Sequence, residues 1–305
     1  VRKLILPFIC CLLLFVVYFT FVRDSNSNST IVPENASWPF STIDYASINK
    51  LNKTTIRVAI IDTGIDSSKV CTNDVHLASY SVENINKNPN DLHGSIMANI
   101  ICNSSFLDRK DNSLRKKLEL DGINVGHDDD ISIDALVEGI QKAIDLNVDI
   151  INISLGVYKN NTSLERIIKT ALQKNIIVVC SAGNDSTKQS MYPASYKGVI
   201  TVTSVDPNNN YMLNNNFNNN IIVSAPGENI PTQISKDGKK LEINGTSASA
   251  ALISSAIISF MSIDPKIKET DLIELFDKTS KRIGPENIYG FGLLDYKKAL
   301  LSLYS

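Results

Sequence analysis

Three residues far apart in the sequence, Asp62, His93 and Ser247, have the types and settings that nucleophilic catalysis uses. Such chemistry needs a hydroxyl or thiol, a base within hydrogen-bond reach, and a third group that orients the base. Asp62 closes the short apolar run Val58 to Ile61 and is followed by Thr63-Gly64. His93-Gly94 opens a segment whose apolar residues, Ile96, Met97, Ile100 and Ile101, recur at helical spacing, so the imidazole stands at its N-terminal end. Gly245-Thr246-Ser247 opens a run to Met261 that is Ala-rich and apolar almost all round, which a helix can be only when buried on every side. A Ser there has its hydroxyl beside backbone N–H groups that lack helical partners and could receive an oxyanion. Two further polar turns, Ser154-Leu155-Gly156 and Ser181-Ala182-Gly183-Asn184, also end apolar runs.

The elements that must position these residues alternate between strand-like and 3.6-period segments from Arg57 onward. That alternation predicts an α/β fold, doubly wound, with a mainly parallel sheet and helices on both faces. Asp134 to Asn147 carries Leu136, Ile140, Ala143 and Ile144 on one face and leads to the strand Ile150 to Leu155. Thr162-x-x-Glu165 reads as a capping box for a helix bearing Leu164, Ile167, Ile168, Ala171 and Leu172, which leads to the strand Ile176 to Val179. Val199 to Val205 and Ile221 to Ala225 are further strand candidates, and the Asn-rich stretch Asn208 to Asn220 between them reads as a surface loop. Ligands of open parallel sheets bind beyond the carboxyl ends of the strands, which is where Asp62, Ser154 and Asn184 collect.

These segments resemble, in order, those of the subtilisin-like serine proteases, the subtilases, from Trp38 to the C-terminus. They are Val58-Ala59-Ile60-Ile61-Asp62-Thr63-Gly64-Ile65-Asp66, His93-Gly94-Ser95, Asn152-Ile153-Ser154-Leu155-Gly156 and Ser181-Ala182-Gly183-Asn184. Tyr192-Pro193-Ala194, Ala225-Pro226-Gly227, Gly245-Thr246-Ser247 and Tyr289-Gly290-Phe291-Gly292 follow. The resemblance implies that Ser247 attacks the scissile carbonyl, His93 takes and returns the proton, and Asp62 fixes the imidazole. It implies that Asn184, with the Ser247 backbone N–H, holds the oxyanion, and that Ser154, Leu155 and Gly156 pair with an extended peptide substrate as an added strand. It also places Asp185 at the rim of the first specificity pocket and Met191 near its base. A carboxylate at that rim would favour Arg or Lys before the cleaved bond; as an exposed turn residue Asp185 would have no such part.

The chain departs from the family pattern at Leu92, where a Gly usually precedes the His, at Ser95 in place of Thr, and at Ala251 in place of Pro. The family's Gly-Val-Ala-Pro segment is not recognisable, and Asp108 to Asp121 is charged without a calcium-ligand pattern, so no cofactor or metal is expected. The expected function is a serine endopeptidase. The lack of room for a folding propeptide between Arg23 and Trp38, with the small size and the exported context, resembles the leader peptidases encoded with lantibiotics, which implies the narrower expectation of lantibiotic leader removal. The competing expectation, motivated by the altered residues around His93 and Ser247, is a catalytically silent subtilase fold acting as a binding or immunity module at the cell surface.

Arg2 and Lys3 precede an uncharged run from Leu4 to Val22, long enough to cross a bilayer. Residues 1–23 therefore read as a signal anchor or a cleaved signal peptide, residues 24–37 as a tether and residues 38–305 as the peptidase domain. On that reading the protein is extracytoplasmic, contacts the membrane through residues 4–22, and acts as a monomer on a peptide or protein. Thirty Lys and Arg against 32 Asp and Glu leave no basic footprint, which argues against a nucleic-acid partner. Cys71, Cys102 and Cys180 read as buried apolar residues, and His76 and His127 as bystanders.

Overall fold

The computed structural model describes residues 55–70, 74–83, 85, 92–104, 107, 114–126, 131–189, 191–233 and 240–304. The apolar run at residues 4–22, the tether at 24–37, Cys71 and His127 lie outside the described residues. Among the described residues no helix is long and apolar enough to cross a membrane.

Seven parallel strands form one sheet in the order β2-β3-β1-β4-β5-β6-β7. They are β1 (Ile56–Asp62), β2 (His76–Ser81), β3 (Leu118–Asn124), β4 (Ile150–Ile153), β5 (Ile177–Ser181), β6 (Ile200–Val205) and β7 (Val223–Pro226). Side chains alternate along β1: Val58 and Ile60 enter one hydrophobic core, Ala59 and Ile61 the other. Burial on both faces is what makes these strands read as continuous apolar runs. Helices α2 (Ile133–Asp145) and α3 (Thr162–Gln173) cover one face; α1 (His93–Asn103) and α4 (Thr246–Met261) cover the other. The helices α5 (Glu269–Thr279), α6 (Glu286–Tyr289) and α7 (Tyr296–Ser302) complete the chain, with an antiparallel pair, β8 (Ile230–Gln233) and β9 (Lys240–Ile243), before α4. Fully buried Leu and Ile side chains such as Leu136 and Ile140 each contribute about 1.5–3 kcal/mol.

Strand order reverses around β1, whose neighbours are β3 on one side and β4 on the other. In open parallel sheets the ligand crevice lies beyond the carboxyl ends of the strands at such a reversal, which is the end of β1 where Asp62 sits. All sixteen residues of α4 are buried, as its apolar composition requires.

The structure corrects three local expectations. The cap of α3 is Asn161, whose Oδ1 accepts from the N–H groups of Ser163 at 2.8 Å and Leu164 at 3.1 Å; Thr162 is already helical. Strand β3 begins inside the charged segment Asp108 to Asp121, where the sequence reading assigns no strand. Its carboxylates disguise it, yet Asp121 is 2% exposed and takes a bidentate pair from Arg57 on β1, with Nε to Oδ2 at 2.5 Å and Nη2 to Oδ1 at 3.2 Å. The Asn-rich stretch is a surface loop only in part, since Asn215 and Asn216 are fully buried.

Candidate active site

Strand β1 and helix α1 bring Asp62 and His93 together. Asp62 is fully buried, and its two carboxylate oxygens lie 2.8 and 2.9 Å from His93 Nδ1. The backbone N–H of Thr63 donates to Oδ1 at 2.8 Å, fixing the carboxylate plane. An ionised carboxylate only accepts, so Nδ1 donates in this bond, and in the neutral imidazole that leaves Nε2 as the basic nitrogen. The imidazole is 33% exposed. Helix α1 starts against the end of β1 because Gly94 has no side chain: a Cβ there would stand 2.2 Å from the Gly64 carbonyl oxygen. The Gly94 N–H donates to Thr63 Oγ1 at 3.1 Å, and Ser95 Oγ accepts from the Asp66 N–H at 2.9 Å.

Across the crevice, the turn after β5 meets the start of α4. Asn184 Oδ1 accepts from the Thr246 N–H at 3.0 Å and from its hydroxyl at 3.1 Å, while Thr246 Oγ1 accepts from the Gly183 N–H at 3.1 Å. With Oδ1 committed to two donors, the Asn184 Nδ2 is the face turned away from Thr246. Gly245 lies against that amide at φ 120°, backbone a side chain rarely adopts. Ser247 is in the first turn of α4, where backbone N–H groups have no helical acceptor. Its hydroxyl donates to the Ser154 carbonyl at 3.4 Å. Ser154 Oγ in turn donates to Asn152 Oδ1 at 3.3 Å, and Asn152 Nδ2 donates to Ser254 Oγ at 3.0 Å, tying the end of β4 into α4.

Leu155 and Gly156 are half-buried along one wall of the crevice, and Asp185 is exposed on the other. The two walls are linked by Tyr158, whose phenol donates to Asp185 Oδ2. Burial, with this bond second, pushes the Tyr158 phenol up to about 12. Buried Asn216 serves both walls. Its Oδ1 accepts from the N–H groups of Asp185 at 2.9 Å and Thr187 at 3.3 Å, and its Nδ2 donates to Tyr158 Oη at 2.9 Å and to the Ala182 carbonyl at 3.1 Å. Met191, 7% exposed, lies between Gly156 and Gly183.

Hydrogen bonds thus join Asp62 to His93, Ser247 to Ser154 and Asn184 to Thr246, and Leu155, Gly156 and Asp185 follow the ends of β4 and β5. The departures from the family pattern have local explanations. Leu92 adopts φ −110°, a value open to any side chain, and packs on the core. Without a Pro at 251, the start of α4 is held by Ser249, whose hydroxyl donates to the carbonyls of Pro226 at 2.8 Å and Ala225 at 3.2 Å. Tyr158, Asn216 and Ser249 escaped sequence reasoning; no spacing rule marks them, and only their side-chain bonds across the fold reveal them. Cys102 and Cys180 are buried, as expected for small apolar residues, while His76 is exposed on β2. Among the described residues no group of three or more His, Cys, Asp or Glu is placed to hold a metal ion.

The Subtilase family model matches residues 53–292. Subtilisin DY of Bacillus licheniformis is similar to this chain, 29% identical over 252 residues that cover 80% of this chain and 90% of that protein. Two solved structures share the fold. A lanthipeptide protease superposes with a TM-score of 0.68 at 19% identity, covering 85% of this chain and 90% of its own. The prenylagaramide maturation protease PagA does so with a TM-score of 0.69 at 20% identity, covering 83% and 95%.

Proposed function

We propose a reaction for these residues on the premise that the chain belongs to the subtilase family, and is therefore a serine endopeptidase. Ser247 is the nucleophile. On binding a peptide its hydroxyl turns from the Ser154 carbonyl to His93 Nε2, which takes the proton as Oγ attacks the scissile carbonyl. Asp62 keeps the proton on Nδ1 and stabilises the imidazolium that forms. The tetrahedral oxyanion is received by Asn184 Nδ2 and the backbone N–H of Ser247. Collapse of the intermediate releases the amine, protonated by His93, and leaves an acyl-enzyme that water cleaves by the same steps in reverse. Ser154, Leu155 and Gly156 take the substrate backbone as an added strand, so the peptide binds extended.

The single observation that supports this reading most is the buried Asp62 carboxylate held against Nδ1 of His93. For the substrate, we propose a precursor peptide from which a leader is removed, as in lantibiotic maturation, with the enzyme acting outside the cytoplasm. Similarity of fold to a lanthipeptide protease and to a maturation protease supports that choice. A fluorophosphonate probe tests the chemistry: it should label the wild type and not Ser247→Ala, whose peptide hydrolysis should fall about 10⁶-fold, a scale set by a subtilisin rather than by this chain. Absence of labelling in the folded wild type would overturn the enzyme reading in favour of a silent binding module.

A further inference from the structure

We propose that Asn152 and Ser254 are positioning residues for the nucleophile: with Ser154 they close a hydrogen-bonded ring between α4 and the end of β4 that sets where the Ser247 hydroxyl rests. This role rests on Ser247 being the nucleophile, as proposed above. Ser247 and Ser254 are seven residues apart on α4, about two turns, so their hydroxyls stand on the same side of the helix. On the strand side, Asn152 and Ser154 are two residues apart, and alternate side chains of extended chain share a face. Ser247 Oγ donates to the Ser154 carbonyl at 3.4 Å, Ser154 Oγ to Asn152 Oδ1 at 3.3 Å, and Asn152 Nδ2 to Ser254 Oγ at 3.0 Å. The helix backbone between Ser254 and Ser247 completes the ring.

Packing alone gives no reason for an amide at position 152. Its register partners on the adjacent strands are Ile60 and Val179, which belong, with Ile150, to the core that α1 and α4 cover. Asn152 and Ser254 are both fully buried. Polar groups withdrawn from water among Ile and Val side chains are costly unless paired, and pairing them recovers little beyond that cost. An aliphatic pair would fill the same space; what the amide and the hydroxyl add is direction. That direction is needed at Ser154. The paired register of β4 with β1 and β5 ends at Ile153, so Ser154 lies beyond the ladder and its side-chain bond to Asn152 ties it back to the strand. Other buried hydroxyls of α4 fasten the helix elsewhere: Ser249 to the end of β7, Ser255 to the Ile101 carbonyl of α1, and Ser259 to Tyr296 Oη of α7. The Ser254 bond instead leads back to the residue whose carbonyl holds the Ser247 hydroxyl.

The test compares Ser254→Ala with Ser259→Ala in the full chain. Each variant loses one buried hydroxyl from the same helix, so both should melt below the wild type. Ser254→Ala should lower kcat and the second-order rate of fluorophosphonate labelling together by about tenfold, with KM within about twofold, since displacements of the order of an ångström cost that much or more. Ser259→Ala should keep the wild-type kcat and labelling rate. Asn152→Ala, which opens the ring at its centre, should lose at least as much as Ser254→Ala, and thermal melting reports whether each variant is folded. Wild-type kcat and labelling in folded Ser254→Ala and Asn152→Ala would overturn the ring's role while leaving the nucleophile standing. Equal losses in Ser254→Ala and Ser259→Ala would also overturn it, as a general loosening of α4, and so would a change confined to KM, which would move the effect to substrate binding. No labelling of the folded wild type would instead bring down the reading of Ser247, and the ring's role with it.

Discussion

Where Asp62 and His93 meet, main chain presses on main chain, whereas Tyr158 and Asp185 meet across the crevice through side chains steadied by a loop asparagine. The first contact has no slack: Gly94 fits against the Gly64 carbonyl only because it lacks a Cβ. The second depends on four hydrogen bonds to one buried amide, Asn216. On the proposed reading, chemistry that needs fixed distances is mounted on the ends of strands and helices, and the surfaces offered to the substrate are mounted on loops tuned by side chains.

Substitutions can break or sharpen that contrast. The largest effect belongs to the rigid half. Asn184→Ala, with Thr246 left in place, should lower kcat about 10²–10³-fold with little change in KM, again a scale from a subtilisin. Steady-state kinetics would show it, and a loss confined to KM would move Asn184 from the oxyanion to substrate binding. Next comes Gly94→Ala, where the added methyl meets backbone and cannot be relieved by a rotamer change. It should cost about 1–3 kcal/mol in stability, read from urea unfolding, and lower kcat because α1 carries His93. An unaltered midpoint and kcat would remove the contrast altogether. The smallest effect is expected at the rim. Tyr158→Phe should cost about 0.5–1.5 kcal/mol by the same unfolding assay. In the wild type, selectivity should stay constant as the pH passes about 10, where an ordinary tyrosine titrates, because this phenol loses its proton only at about 12.

The same contrast explains what could be read from the sequence. Asp62, His93, Asn184 and Ser247 sit beside glycines or at the ends of apolar runs because the backbone geometry there admits few residue types. Their neighbourhood was legible for that reason, and so was the alternation that gives a parallel sheet. Strand β3 was not, because Glu119 and Asp121 interrupt its apolar pattern and the compensating Arg57 lies on another strand. The α3 cap was misplaced by one residue, since Asn161 and Thr162 are both plausible caps until the backbone of Asn161 is seen to be extended. The Asn-rich loop hid its two structural residues by composition: nothing in the sequence distinguishes Asn215 and Asn216, fully buried, from the asparagines around them.

The burial of α4 on every side has a consequence for how the enzyme comes into being. This helix underlies β4, β5, β6 and β7, so the sheet cannot close over its core until the helix has been synthesised and inserted. Ser247 travels with it. On the proposed mechanism, a growing chain that has not yet made this helix carries the base and its carboxylate without the nucleophile.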